Sequence, residues 1–360
     1  MLKKSKKRLF YSLTFIFLIA LPLLISYSLG YTFNFSSRSV EKTGGIFIKS
    51  RLPRLSIFLN NDFLKETSLI SGGAFLTGIS KGTYLLRIEK TGYRAWSKAV
   101  IVEEEVVTEL RNILLIQNPA KISTSTKQEI VSLSSTSTPS VRVSLDKKQG
   151  LILTDTKKII APDVHSFGMA DGKILVVGNQ GFLSQFDPIT DSIKILGRPG
   201  FYLSEKKMQF ANSPTGETAI LDSGGGIYLI SSGDEITTFS GGAEEVAFDE
   251  DGGKMLIRKE NSIEMLWMSN NRNQPFQKKW TREEIIKSGE VIKEIRWFFG
   301  DNAHIIIRTK DGIFLTEVDG RGGRYTVELF SGDTDEILTS PEAPDAIFFR
   351  QGKIWHKIGL

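Results

Sequence analysis

Apolar and polar positions follow three different rhythms along this chain. From Leu9 to Tyr31 no residue carries a charge, and the stretch Leu13-Thr-Phe-Ile-Phe-Leu-Ile-Ala-Leu-Pro-Leu-Leu-Ile25 is apolar almost throughout. About twenty such residues, rising 1.5 Å each, span a hydrocarbon layer of roughly 30 Å. The pattern predicts a transmembrane helix over 9–31, which Pro22 would only kink. Tyr11, Tyr27 and Tyr31 sit where amphipathic rings favour the membrane interface. From residue 44 the rhythm changes to short runs punctuated by Gly, Asn and Asp. Thr83-Tyr-Leu-Leu-Arg-Ile-Glu89 alternates, with Tyr84, Leu86 and Ile88 on one side and Arg87 and Glu89 on the other. Similar runs at 45–49, 55–59, 73–78, 98–102 and 106–115 predict a small β-sandwich over 44–118, with Asn60-Asn61-Asp62 as a turn.

A third rhythm occupies 119–360. An apolar-aromatic run, a Gly-containing turn and a second run recur at Phe167–Asp187, Phe210–Ile230, Val246–Trp267, Ile295–Asp319 and Ala346–Ile358, with an earlier copy near 141–154. A period of about 40–50 residues with several strands in each unit predicts a β-propeller of about six blades. A stack of further β-sandwiches is the rival reading. The Ser- and Thr-rich stretch 123–138 reads as a linker or as a weak outer strand near 129–133. One insertion breaks the period. Asn270 to Gln274 is polar, Lys278-Lys279-Trp280 follows, and Thr281-Arg-Glu-Glu284 matches a capping box, predicting a short helix through Lys287. Such a loop either carries function on a rigid scaffold or is an ordinary insertion.

Charge sharpens the first of these readings. Lys3, Lys4, Lys6, Lys7 and Arg8 precede the apolar run, and residues 1–31 hold no Asp or Glu. The positive-inside rule then places residues 1–8 in the cytoplasm, the anchor at 9–31, a tether at 32–43 and the bulk of the chain outside. A cleaved signal peptide competes, with Ser28-Leu29-Gly30 as its site, but the run exceeds the usual h-region of about 7–15 residues. Without the tail, 46 − 5 = 41 basic side chains face 41 acidic ones. The exported part is neutral overall, which argues against nucleic acid as a partner. No cysteine is present, which excludes disulfides, thiol nucleophiles and a lipid anchor on Cys.

Within 44–118, Ile48-Lys49-Ser50, Pro53, Lys81-Gly82-Thr83-Tyr84 and Lys90-Thr91-Gly92-Tyr93 followed by Trp96 resemble the PEGA domain. The tetrapeptide that names that family is reduced here to Pro53-Arg54-Leu55. The resemblance implies an accessory binding or spacer module of an envelope protein. The later repeats, notably Ser213-Pro214-Thr215-Gly216 and Asp311-Gly312-Ile313-Phe314, resemble TolB-like and WD-repeat-like propellers.

Signals of chemistry are sparse. His165, His304 and His356 fall in different units without zinc-ligand spacing. No Gly-x-Ser-x-Gly elbow occurs, and Gly224-Gly-Gly226 and Gly320-Arg-Gly-Gly323 lack the Gly-Lys-Ser/Thr of a phosphate loop. Asp249-Glu250-Asp251-Gly252 reads as a solvated turn. No catalytic, cofactor-binding or metal-binding residue is assigned, and the chain is expected not to be an enzyme. Tyr93, Trp96 and Trp280 are the candidate ligand contacts, since aromatic faces stack on sugar rings, while the first reading of Tyr93 and Trp96 is core packing at a sandwich edge. The expected function is that of a membrane-anchored, extracytoplasmic binding or scaffold protein whose partner is an envelope protein or cell-wall glycan. The alternatives are a propeller-type hydrolase of an envelope glycan or peptide, and a structural spacer.

Overall fold

Strands dominate the computed structural model, which describes residues 2–28, 30–34, 39–126, 129–130, 142–146, 150–239 and 241–360. One helix, α1 (Leu2–Ser28), carries the apolar run, and Leu9–Ser26 has a mean hydropathy of 2.3 with none of it buried. Length and composition suit this helix to a membrane span or a signal sequence. The chain divides into two units, Met1–Pro119 with Arg321–Tyr325, and Ala120–Gly320 with Thr326–Leu360.

In the first unit β1 (Tyr31–Asn34) pairs with β2 (Ser39–Ser50). Then come β3 (Ser56–Leu59), β4 (Asp62–Glu66), β5 (Gly73–Ser80), β6 (Gly82–Glu89), β7 (Trp96–Val102) and β8 (Val107–Ile113). One sheet has β5 and β8 flanking β2, and the other runs β4-β3-β6-β7. The sequence pattern missed β1, read as helix end and tether, and β4, whose five residues are all exposed so that no apolar alternation marks it. Asn60 and Asn61, at φ 50° and 73°, form the tight turn before β4, with the left-handed backbone that two-residue hairpins require. Inward residues of both sheets meet in one core that includes Ile46, Ile48, Ile57, Leu86, Ile88, Val100 and Val102. The PEGA resemblance remains a resemblance.

The second unit opens with β9 (Lys121–Ser125) and continues as six small antiparallel sheets among the described residues. Blade 1 has strands Val143–Asp146, Gly150–Leu153 and Ile159–Ala161. Blades 2 to 5 are four-stranded meanders over 166–197, 209–239, 245–287 and 294–331. Blade 6 takes three strands from 336–359 and its fourth from β9, so the start of the unit closes its own ring. First strands of successive blades touch one another from blade 2 to blade 6, which places them innermost. This is a mainly β, propeller-like architecture.

Burial explains the strand pattern. Second and third strands of a blade are covered on both faces by neighbouring blades, so Thr218–Leu221, Ile227–Ile230 and His304–Arg308 are buried at every position. Outer strands such as Ser192–Gly197 stay largely exposed. Each seam between blades has its own apolar cluster, for example Leu256, Ile263, Met265, Ile295, Ile305 and Ile307 between blades 4 and 5. Asp171-Gly172, with φ 48° and 74°, forms a predicted hairpin turn in blade 2.

Two expectations need correction. Residues Arg282–Lys287 are the fourth strand of blade 4, not a helix. The capping-box residues are present, but backbone pairing of this segment with Ser262–Leu266 outweighs the local preference. The Ser-rich stretch is not simply a linker, since Lys121–Ser125 pairs with Ile354–Gly359. The proposed strand at 129–133 lies mostly outside the described residues.

Candidate functional site

The three aromatic candidates have different fates. Trp96 is 1% exposed in the core of the first unit, beside Tyr325 with ring centroids 6.4 Å apart. Its ring is therefore out of reach of a ligand. The alternation Trp96, Lys98, Val100, Val102, all inward, carried that information. Tyr93 is half-buried against the same core and is bridged to Gln117. Those two residues form no exposed stacking platform. Trp280 alone is open, at 42% exposure.

Trp280 ends the loop Met268–Thr281, which joins the third and fourth strands of blade 4. Two asparagines hold this loop in shape. Asn270 Oδ1 accepts the Lys279 N–H at 2.9 Å, and Asn271 Nδ2 donates to the Pro275 carbonyl at 2.9 Å. The backbone N–H of Asn271 donates to Gln277 O, and that of Trp280 donates to Trp267 O. Trp280 adopts φ +71°, a left-handed conformation that costs a bulky side chain energy and persists only when its surroundings impose it. Its ring lies beside Phe239 of blade 3, with centroids 5.7 Å apart and planes at 46°.

Cations surround these rings. The Lys279 ammonium lies 4.6 Å from the Trp280 ring centre, and the Arg282 guanidinium 6.0 Å from that of Phe239. Phe276, 69% exposed, projects from the same loop. Between Met268 and Arg282 the sequence has Arg272, Lys278, Lys279 and Arg282 and no Asp or Glu. Arg282 pairs with Glu264 at 3.2 Å, an acid that Lys259 also binds. Arg272, Lys278 and Lys279 are exposed and have no carboxylate partner among the described residues. In a chain that is otherwise neutral after its basic N-terminal tail, this is a local positive surplus built around aromatic faces. Such a surface stacks against flat apolar faces, as of sugar rings, while its cations hold carboxylates or phosphates. The insertion was visible in the sequence. Phe239, from another blade, carried no local signal.

The remaining polar groups of interest are structural. His304 is fully buried with Nδ1 2.7 Å from Asp301 Oδ2, and His356 stacks on Phe349. Asp249 is not solvated as expected but 1% exposed, paired with Lys254 at 2.7 Å, whose ammonium lies 5.6 and 5.5 Å from the rings of Trp267 and Trp297. Among the described residues no group of three or more His, Asp or Glu is placed to hold a metal ion.

No family model matches the chain, and no curated protein matches it. Among solved structures it is similar to one provisionally titled a gluconolactonase, at 10% identity and a TM-score of 0.34, over 68% of this chain and 93% of the other. The expectation that the chain is not an enzyme is withdrawn on this finding, because the similar protein bears an enzyme's name. A likeness of that size assigns no reaction to this chain.

Proposed function

We propose that the protein is a membrane-anchored, extracytoplasmic propeller that binds an anionic glycan of the cell envelope through the loop around Trp280. The observation that carries this reading is the pair Phe239–Trp280 with Lys279 and Arg282 beside its rings, in a loop that also has Arg272 and Lys278 and no acidic residue. The apolar helix after a basic tail supports the anchor and its direction. In sequence the sandwich lies between the apolar helix and the propeller. Hydrolysis of an envelope glycan or peptide is the second reading, and it is measured in the same experiment.

That experiment is co-sedimentation of the full-length protein, in detergent, with purified cell-wall polymer. The expected result is saturable binding that Trp280→Ala weakens about tenfold, the loss of one good stacking contact, and that rising salt weakens further. Equal binding by wild type and Trp280→Ala would reject the site. Release of soluble fragments from the polymer would establish the hydrolytic reading.

A further inference from the structure

A separate cleft lies where the innermost strands of blades 3 and 4 begin. Its volume is about 230 Å³, and three segments bound it. Lys206-Lys207 leads into the first strand of blade 3, Ser223-Gly224-Gly225 joins its second and third strands, and Gly242–Glu244 leads into blade 4.

The two turns fit together because both are glycine. Gly225 has φ +81°, and a Cβ on it would stand 2.5 Å from the Gly242 Cα and 2.7 Å from the Ala243 nitrogen. The Ala243 N–H donates to the Gly225 carbonyl at 3.1 Å. Asp222 fixes the first turn from within. Its Oδ1 accepts the N–H groups of Gly224 at 2.9 Å and Gly226 at 2.8 Å, while Oδ2 accepts the Tyr202 N–H at 2.8 Å and the Tyr228 hydroxyl at 3.1 Å.

The charges of the lining are unequally satisfied. Asp222 is buried and accepts four internal hydrogen bonds, and Glu244 is held by Arg258. Lys207 donates only to a neutral carbonyl, that of His165. The Lys206 ammonium has no partner among the described residues. Two acids are therefore spent on the fold, while two ammonium groups remain available to an incoming anion. Between a carboxylate and a phosphate, the chemistry favours phosphate. No arginine fork lines the cleft to match a planar carboxylate, whereas lysines act as point charges toward a tetrahedral dianion.

We propose that this cleft binds a phosphate group, free or as the phosphate of a small ester. The site is independent of the aromatic loop and of the glycan reading. The test is calorimetric titration of the full-length protein in detergent with inorganic phosphate and, separately, with glycerol 3-phosphate. Saturable binding of at least one of them, weakened about tenfold by Lys206→Gln with Lys207→Gln and unchanged by Trp280→Ala, supports the site. Tighter binding of the ester assigns the ligand to phosphate esters, and equal or weaker binding of the ester assigns it to free phosphate. Both lysines lie on the surface, so the double variant is expected to unfold at the wild-type denaturant midpoint. No saturable binding of either probe at millimolar concentration, or binding that the double variant retains in full, overturns the proposal.

Discussion

Glu294 and Arg308 face each other on the first two strands of blade 5, with Arg308 Nε 2.9 Å from Glu294 Oε2 and both side chains about nine-tenths buried. The same pair recurs in register one blade earlier as Glu245–Arg258 at 2.9 Å and one blade later as Glu336–Arg350 at 3.3 Å. In the first two cases it also fastens the next blade. Arg258 donates to Ile292 O and Arg308 to Thr334 O, while Glu294 Oε2 accepts the Ile337 N–H at 3.0 Å.

Breaking the buried pair should therefore cost far more than breaking the exposed one. Glu294→Ala leaves Arg308 buried without its anion, and a loss of about 3–5 kcal/mol is expected. Glu336→Ala removes a solvated pair and should cost less than about 1 kcal/mol. Denaturant unfolding of the two variants measures the difference, and equal losses would contradict the inter-blade role of Glu294.

The Tyr228 hydroxyl should be the last tyrosine to ionise. Burial, with the Asp222 carboxylate beside it, pushes its pKa from the ordinary tyrosine value of about 10 up to about 12. Its folded pKa is raised, so its contribution to stability is complete below pH 10 and is lost as pH rises toward 12. Tyr228→Phe should remove the highest step in an alkaline absorbance titration and cost about 1–2 kcal/mol at neutral pH for the lost hydrogen bonds. A highest titration step that survives in Tyr228→Phe would refute this.

Gly225→Ala should destabilise more than Gly172→Ala. Both positions have left-handed backbone, at φ +81° and +74°, so each pays the conformational penalty, which is about 1 kcal/mol for a non-glycine residue. Only at Gly225 does the added carbon also meet backbone, since nothing lies within 4 Å at Gly172. Thermal unfolding of the two variants isolates that overlap, and equal shifts would mean that the turns can separate.

The absence of cysteine makes orientation directly measurable. A cysteine at Ser232, an exposed turn position in blade 3, should react with a membrane-impermeant maleimide in intact cells. One at Ser5, in the basic tail, should react only after permeabilisation. The reverse pattern would invert the proposed topology.

Much of this architecture was legible from spacing. Strands covered on both faces need continuous apolar runs, and those runs recur at blade intervals, as in Ile227–Ile230 and Gly312–Glu317. Local signals failed where a partner distant in sequence decides the outcome. Arg282–Lys287 has helix-forming residues but becomes a strand because Ser262–Trp267 offers an edge. Trp96 carried the alternation of an inward residue, in keeping with the core-packing reading rather than the ligand-contact one. Glu245, Glu294 and Glu336 each precede an arginine by 13 or 14 positions, a periodicity that hydrophobic patterning does not reveal. Phe239 joins Trp280 only through the packing of two blades.

The strand that closes the ring also has a mechanical meaning. β9 is the first part of the propeller that the chain reaches after Pro119, and it is bonded in register to Ile354–Gly359 at the far end of the sequence. Any pull transmitted along the backbone from the first unit thus arrives first at the clasp itself. Handle and fastening are one element, so tension would open the ring at blade 6 while the apolar seams between the other blades are still intact.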